Sequence, residues 1–180
     1  TTLITPARIA MGGLVGIVAA AGIAAVSAMN DQDEFTRSIQ KTGNYAGVTS
    51  GELEQMAQQG GQLRGNYSQV RDILNGLVSS GRFTSETLTS VAQAATLMAE
   101  LSGQSADEVV SSFLKMNDGV TSWAANTTQQ YHFLDLETYQ RIQSLEDQGR
   151  KEEAIEVASQ AFKKASEERL RTMEQQLNRC

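Results

Sequence analysis

His132 is the only histidine of the chain and Cys180 its only cysteine. A histidine can serve as a general base or a metal ligand, but either role needs partners. His132 sits in Tyr131-His132-Phe133-Leu134, among apolar neighbours and without a serine or cysteine nucleophile motif. That pattern reads as a structural histidine that packs or hydrogen-bonds. A single cysteine allows no internal disulfide and no CxxC pair. Glu146, Asp147, Glu152, Glu153 and Glu156 cluster around Gly149, with Arg150 and Lys151 between them. Interleaved charges of this kind read as a solvated helix face rather than a catalytic acid–base pair. The string Gly60-Gly61-Gln62-Leu63-Arg64-Gly65 follows no strand and precedes no lysine, so it reads as a loop, not a phosphate cradle. Asn126-Thr127-Thr128 matches the glycosylation acceptor pattern by residue type alone. GxSxG, HExxH and Walker patterns are absent. The expectation is a protein with no catalytic, metal or cofactor-binding residues, and so not an enzyme.

The elements around these residues are helical. Pro6 is the only proline, and the 15 glycines punctuate the chain instead. The net charge of −6 disfavours a nucleic-acid surface, which wants clustered Lys and Arg, so no specific nucleic-acid partner is expected. Hydrophobic residues make up 40% of the chain, enough for an ordinary globular core. Thr1 is not an initiator methionine, and the chain reads as a piece of something longer.

Residues 9–29 form one uncharged apolar run, with Arg8 before it and Asn30, Asp31, Asp33 and Glu34 after it. As a helix it would reach about 30 Å, one bilayer core. Three readings compete: a signal peptide, a buried core helix or hairpin, and a membrane-competent helix. Gly12, Gly16, Ala20, Ala24 and Ala28 recur every fourth position, a small-residue ridge suited to close helix packing or to a membrane. The run is rich in Ala and Gly, which gain little from hydrocarbon, so it could be packed in an assembly and insert once released.

Downstream, hydrophobic spacing predicts a series of short helices. Residues 31–42 extend the first helix, and Gly43 ends it. Thr49 and Glu52 form a capping box for a helix carrying Leu53, Met56 and Ala57, which Gly60-Gly61 is expected to stop. Val70, Ile73, Leu74, Leu77 and Val78 make one face of the next, closed by Gly81. Thr84 or Ser85 caps a helix whose face is Leu88, Val91, Ala92, Ala95, Met98 and Ala99, ending at Gly103. Ser105 and Glu108 form a second capping box, and Gly119 stops that helix. Residues 120–126, around Trp123, read as one or two turns. Asp135 caps a helix over 136–148 with Tyr139, Ile142 and Leu145 inward. A longer charged helix over 150–179 carries Ile155, Ala158, Phe162 and Ala165, then Leu170, Met173 and Leu177, with a slip near Arg169. That stripe suits a coiled-coil onset or a packed helix end.

The fold class expected is all-α: an apolar N-terminal helix, about six short helices, and a longer C-terminal helix. The divisions are 1–30 for the apolar segment, 31–149 for a helical domain, and 150–180 for an amphipathic helix that starts a rod.

Several strings resemble the prophage tail length tape measure family, in the lambda-like branch from long non-contractile tails. The most specific is Thr42-Gly43-Asn44-Tyr45-Ala46-Gly47-Val48-Thr49-Ser50-Gly51-Glu52-Leu53. Ser80-Gly81-Arg82-Phe83-Thr84, Ser102-Gly103-Gln104-Ser105, Gln130-Tyr131-His132-Phe133-Leu134 and Leu145-Glu146-Asp147-Gln148-Gly149 are similar as well. The resemblance implies a structural protein of the tail lumen, whose length sets that of the tube during assembly. It further implies ejection ahead of the DNA and help for the genome across the host envelope. The implied partners are the tail tube protein, tail tip proteins and tail assembly chaperones, other copies of the chain, and the host inner membrane after ejection. The implied locations are the virion tail lumen, the host cytoplasm during assembly and the host envelope on infection. A membrane-anchored helical interaction module unrelated to tails is the alternative. A ruler should be one continuous helix with a fixed rise per residue. The breaks at Gly43, Gly60, Gly81, Gly103, Gly119 and Gly149 instead suggest a folded domain beside the ruler.

Overall fold

The computed structural model describes residues 24–64 and 66–179. Among them the fold is all-α, as expected, with eight α-helices and no strand. They are α1 (Ala24–Lys41), α2 (Ser50–Arg64), α3 (Tyr67–Ser79), α4 (Ser85–Ser102), α5 (Ala106–Leu114), α6 (Val120–Tyr131), α7 (Leu136–Asp147) and α8 (Lys151–Leu177). A single 3₁₀ turn, Lys115–Asn117, links α5 to α6.

Most helix ends follow the local chemistry. Both capping boxes form. The Thr49 hydroxyl accepts the Glu52 N–H at 3.2 Å while the Glu52 carboxylate accepts the Thr49 N–H at 3.1 Å, and Ser105 and Glu108 repeat the arrangement. Asp135 caps α7 by accepting the Thr138 N–H at 2.7 Å. Gly81 and Gly103 close α3 and α4 with φ of +67° and +72°, the left-handed conformation that costs glycine nothing.

Two expectations about helix length need correction. Gly60-Gly61 does not stop α2, which continues to Arg64. These glycines are where α2 and α3 touch: a Cβ on Gly60 would lie 2.8 Å from Val70 Cγ1, and one on Gly61 would lie 2.8 Å from the Tyr67 Cα. They are present for close approach rather than as breakers. The segment around Trp123 is also longer than one or two turns, because α6 runs to Tyr131 and contains Asn126-Thr127-Thr128. Trp123 anchors it. Its ring packs 5.0 Å from that of Phe113, and its indole N–H donates to the Ser112 carbonyl at 3.0 Å.

The core centres on α4 and α8. The stripe expected on α4 is buried, and so are Thr87, Ser90, Ala94, Thr96 and Leu97 on its other sides. Small side chains let α2, α3, α5 and α8 all close on this one helix. Phe162 of α8 is fully buried within an aromatic cluster, 5.2 Å from Tyr131, 5.3 Å from Phe133 and 6.1 Å from Phe113, ring centre to ring centre. Edge-to-face packing of this kind adds to the area term.

Helix directions follow from the cross-links. Glu34 and Ser38 meet Arg71 and Asn75, and Thr42 lies beside Gly81, so α1 runs parallel to α3. The Gln69 amide donates to the Gln104 carbonyl, placing the start of α3 against the end of α4. Thr84 meets Glu152, and Ser90 meets Glu156 and Gln160, so α8 runs parallel to α4. The start of α1 and the end of α8 therefore lie at the same pole of the domain. At that pole α8 leaves the body: Leu170 is buried, whereas every residue from 171 to 179 is exposed.

A candidate interaction groove

The acidic cluster around Gly149 is a set of anchors. The Glu146 carboxylate accepts the Val120 N–H at 2.6 Å and the Thr121 N–H at 3.3 Å, capping α6 from a different helix. Burial raises its pKa. The bonds from Val120 and Thr121, with the nearby Lys151 charge, outweigh that and hold the carboxyl below the usual carboxylate range. Glu152 accepts the Thr84 hydroxyl at 3.0 Å, and Glu156 accepts the Ser90 hydroxyl at 2.7 Å. These bonds stitch α8 to α4. Hydrogen bonding to Glu152, open to Glu86 only when one of the two is protonated, and the repulsion between the ionised carboxylates raise the Glu86 pKa. Only Asp147 and Glu153 keep the solvated role expected of all five, with Glu153 paired to Arg150. The positions of Val120, Thr84 and Ser90, up to 68 residues away in sequence, could not be read from the spacing of the acids.

His132 does not pack in the core. Its side chain is exposed, and the residue closes α6 in a left-handed conformation with φ of +50°. Its N–H donates to the Thr128 carbonyl at 2.8 Å. Among the described residues, no group of three or more His, Cys, Asp or Glu side chains could hold a metal ion. Of the small-residue ridge, Ala24 and Ala28 fall in the opening turns of α1, and Gly12, Gly16 and Ala20 lie outside the described residues. Among the described residues no helix is long and apolar enough to cross a membrane. Cys180 also lies outside them.

Among the described residues, a groove of about 350 Å³ has an apolar floor. Val70 and Leu74 of α3 and Ala92 and Leu97 of α4 form its floor. Met56, Gln59 and Gly60 of α2 make one wall, and Lys163, Glu167 and Glu174 of α8 the other. Gly60 sets the depth, because a side chain there would collide with Val70. The groove has no nucleophile–base pair in its lining; its chemistry is that of an apolar floor with a polar rim, suited to holding another apolar surface.

The described residues thus define an all-α helical module whose half-buried carboxylates are used in packing. The chain matches the prophage tail length tape measure protein family over residues 1–143, and it belongs to that family. It is 30% identical over 186 residues to the tape measure protein of Pseudomonas phage PAJU2, covering 97% of this chain and 20% of that protein. It is 22% identical over 144 residues to the tape measure protein of Escherichia phage lambda, covering 80% of this chain and 17% of the relative. The chain thus spans about a fifth of the length of the curated relatives it matches. No solved structure matches it significantly. Family membership sets aside the alternative of a membrane-anchored module unrelated to tails.

Proposed function

We propose that this chain is a folded module of a phage tail tape measure protein. The parent protein is structural and not an enzyme; it sets the length of the tail tube during assembly and assists genome delivery through the host envelope. The module itself does not measure. The observation that carries this reading is the shared pole: the chain enters at the start of α1 and leaves at the end of α8 on the same side of the body. A segment that returns to where it started adds almost nothing to an end-to-end length, whereas an uninterrupted helix adds about 1.5 Å per residue.

The rod begins at residue 171 on this reading, within the 150–180 stretch, where α8 clears the body with Met173 and Leu177 exposed. Residues 31–149 together with the first part of α8 make the domain, and residues 1–30 are the apolar segment. In the tail lumen the module contacts the tail tube and tip proteins and other copies of the chain. In the host cytoplasm the assembly chaperones hold it, and after ejection the apolar run meets the host inner membrane.

In-frame deletions test the separation of module and rod in phage particles viewed by electron microscopy. Deletions in the helical region beyond residue 171 should shorten tails by about 1.5 Å per residue removed. Deletion of residues 43–149 should block assembly or infection, and any tails formed should keep their length. Tails shorter by about 160 Å, the rise of that many helical residues, would refute the reading.

A further inference from the structure

We propose that the module is built to open from its pole: tension between its two ends peels α1 and α8 off the body turn by turn, while tension along the axis of α8 meets an interface that yields only as a whole. The start of α1 and the end of α8 share that pole. α1 packs on α2 and α3, whereas α8 packs on α4, α6 and α7, so the two helices lie on different flanks of the body. A force that draws the two ends apart therefore acts across the helix axes, where each helix meets the pole. Such a force loads one turn at a time, and each turn that lifts releases chain before the next is loaded. A force along the axis loads every contact of a helix pair at once.

The packing of α8 is graded in the direction that peeling needs. Between Lys151 and Phe162, the buried residues are Ala154, Ile155, Ala158, Ser159 and Phe162. Beyond them burial continues only at every fourth position, Ser166 and Leu170, and residues 171–179 are exposed. The other end of α8 is stitched to α4: Glu152 accepts the Thr84 hydroxyl, Glu156 accepts the Ser90 hydroxyl, and the Gln160 amide donates to Ser90 at 2.9 Å. Lifting the last buried turns of α8 breaks none of these bonds. It uncovers Leu170 and then Ser166, and parts the Arg169 guanidinium from the Tyr131 carbonyl, 2.7 Å away. The first large barrier is Phe162 in its aromatic cluster. Pulling α8 along its axis instead strains the Thr84, Ser90 and Phe162 contacts together. Forced unfolding is governed by the unfolding barrier, so contacts broken one after another give way at lower force than the same contacts loaded in parallel. A chain drawn by its ends past a constriction narrower than the body is thereby straightened at low force. The anisotropy follows from helix directions and stands whether or not the parent protein sets tail length, so the two proposals fail separately.

Single-molecule force spectroscopy on the 180-residue chain tests it. Handles on Thr2→Cys and the native Cys180 load the two ends. Handles on Ser85→Cys, at the exposed first residue of α4, and on Cys180 load the α4–α8 pair along its axis. At one loading rate, the end-loaded chain should unfold in successive steps, the first at a force at least about two-fold below the axial one. Equal forces, or a higher force for the end-loaded chain, would overturn the proposal. A variant then locates the barrier in each geometry. Ser90→Ala, which removes the stitch to Glu156 and Gln160, should lower the axial force and leave the first end-loaded step unchanged. A variant that weakens both pulls alike would show that the module yields as one unit, and would overturn the proposal as well.

Discussion

Replacing Gly61 by alanine sets two effects of opposite sign against each other. Gly61 lies inside α2, where helix propensity alone predicts a gain of about 1 kcal/mol for alanine. The new Cβ would lie 2.8 Å from Tyr67 Cα, 2.9 Å from Tyr67 Cβ and 3.1 Å from Tyr67 N. Carbon atoms pack best near ~3.5–4.0 Å, so the contact is short by up to about 1 Å. Two of the three atoms are backbone, so no rotamer change relieves the clash and α2 must move away from α3. Overpacking of this sort costs about 1–3 kcal/mol. The shift would also disturb the Gly60–Val70 contact, one residue away on the same seam. The net expectation is a loss of up to about 2 kcal/mol, a fall in Tm of up to about 6 °C for a chain of this size. Thermal and urea unfolding followed by circular dichroism would measure it. Gly51→Ala is the control: its Cβ would have only Thr49 Oγ1 nearby, at 3.9 Å, so the propensity term should dominate and stability should rise slightly. A Gly61→Ala protein as stable as Gly51→Ala would refute the close-approach reading and restore these glycines to a mere loop signal.

Glu146→Ala should cost about 1 kcal/mol at neutral pH, the usual value of an N-cap. Because the folded-state pKa of Glu146 is lowered, its contribution is present above the ordinary carboxylate value of 4.5 and is lost as pH falls through the lowered one. Urea midpoints of the two proteins should therefore converge in acid; a gap that persists there would show that the loss is one of packing. Glu86→Gln should have the opposite sign. The Glu86 pKa is raised, so its ionised form opposes folding as pH climbs above the ordinary value, and the variant should match or exceed the parent at pH 7 while losing its advantage in acid. Midpoints compared at pH 7 and pH 3 decide this, and a variant weaker at pH 7 would mean that the carboxylate is a favourable partner there.

Sequence legibility was greatest where a local rule had one physical cause. The two capping boxes, the Asp135 cap and the glycine stops at 43, 81, 103 and 149 all depend on residues within a turn of one another, and all form. The face of α3 was legible for the same reason, since its apolar residues share one side at helical spacing. The groove was not legible. Its lining comes from four helices between Met56 and Glu174, and nothing in local spacing brings them together. The acids around Gly149 read as solvated because only Arg150 and Lys151 were visible as partners; the hydroxyls and backbone N–H groups that three of them hold are brought there by α4 and α6.

The sequence by itself determined the all-α class, most helix boundaries and the family, because each rests on patterns a few residues long. Tertiary structure decided what Gly60-Gly61 does and how far α4 is buried. It also decided that the start of α1 and the end of α8 share a pole. The physical reason is the same in each case. A glycine is a breaker or a contact depending on what approaches it. An alanine-rich helix is amphipathic or central depending on how many neighbours close on it. Whether a chain segment lengthens a rod or folds back beside it depends on the direction of each helix relative to the next, and no property of a single helix encodes that.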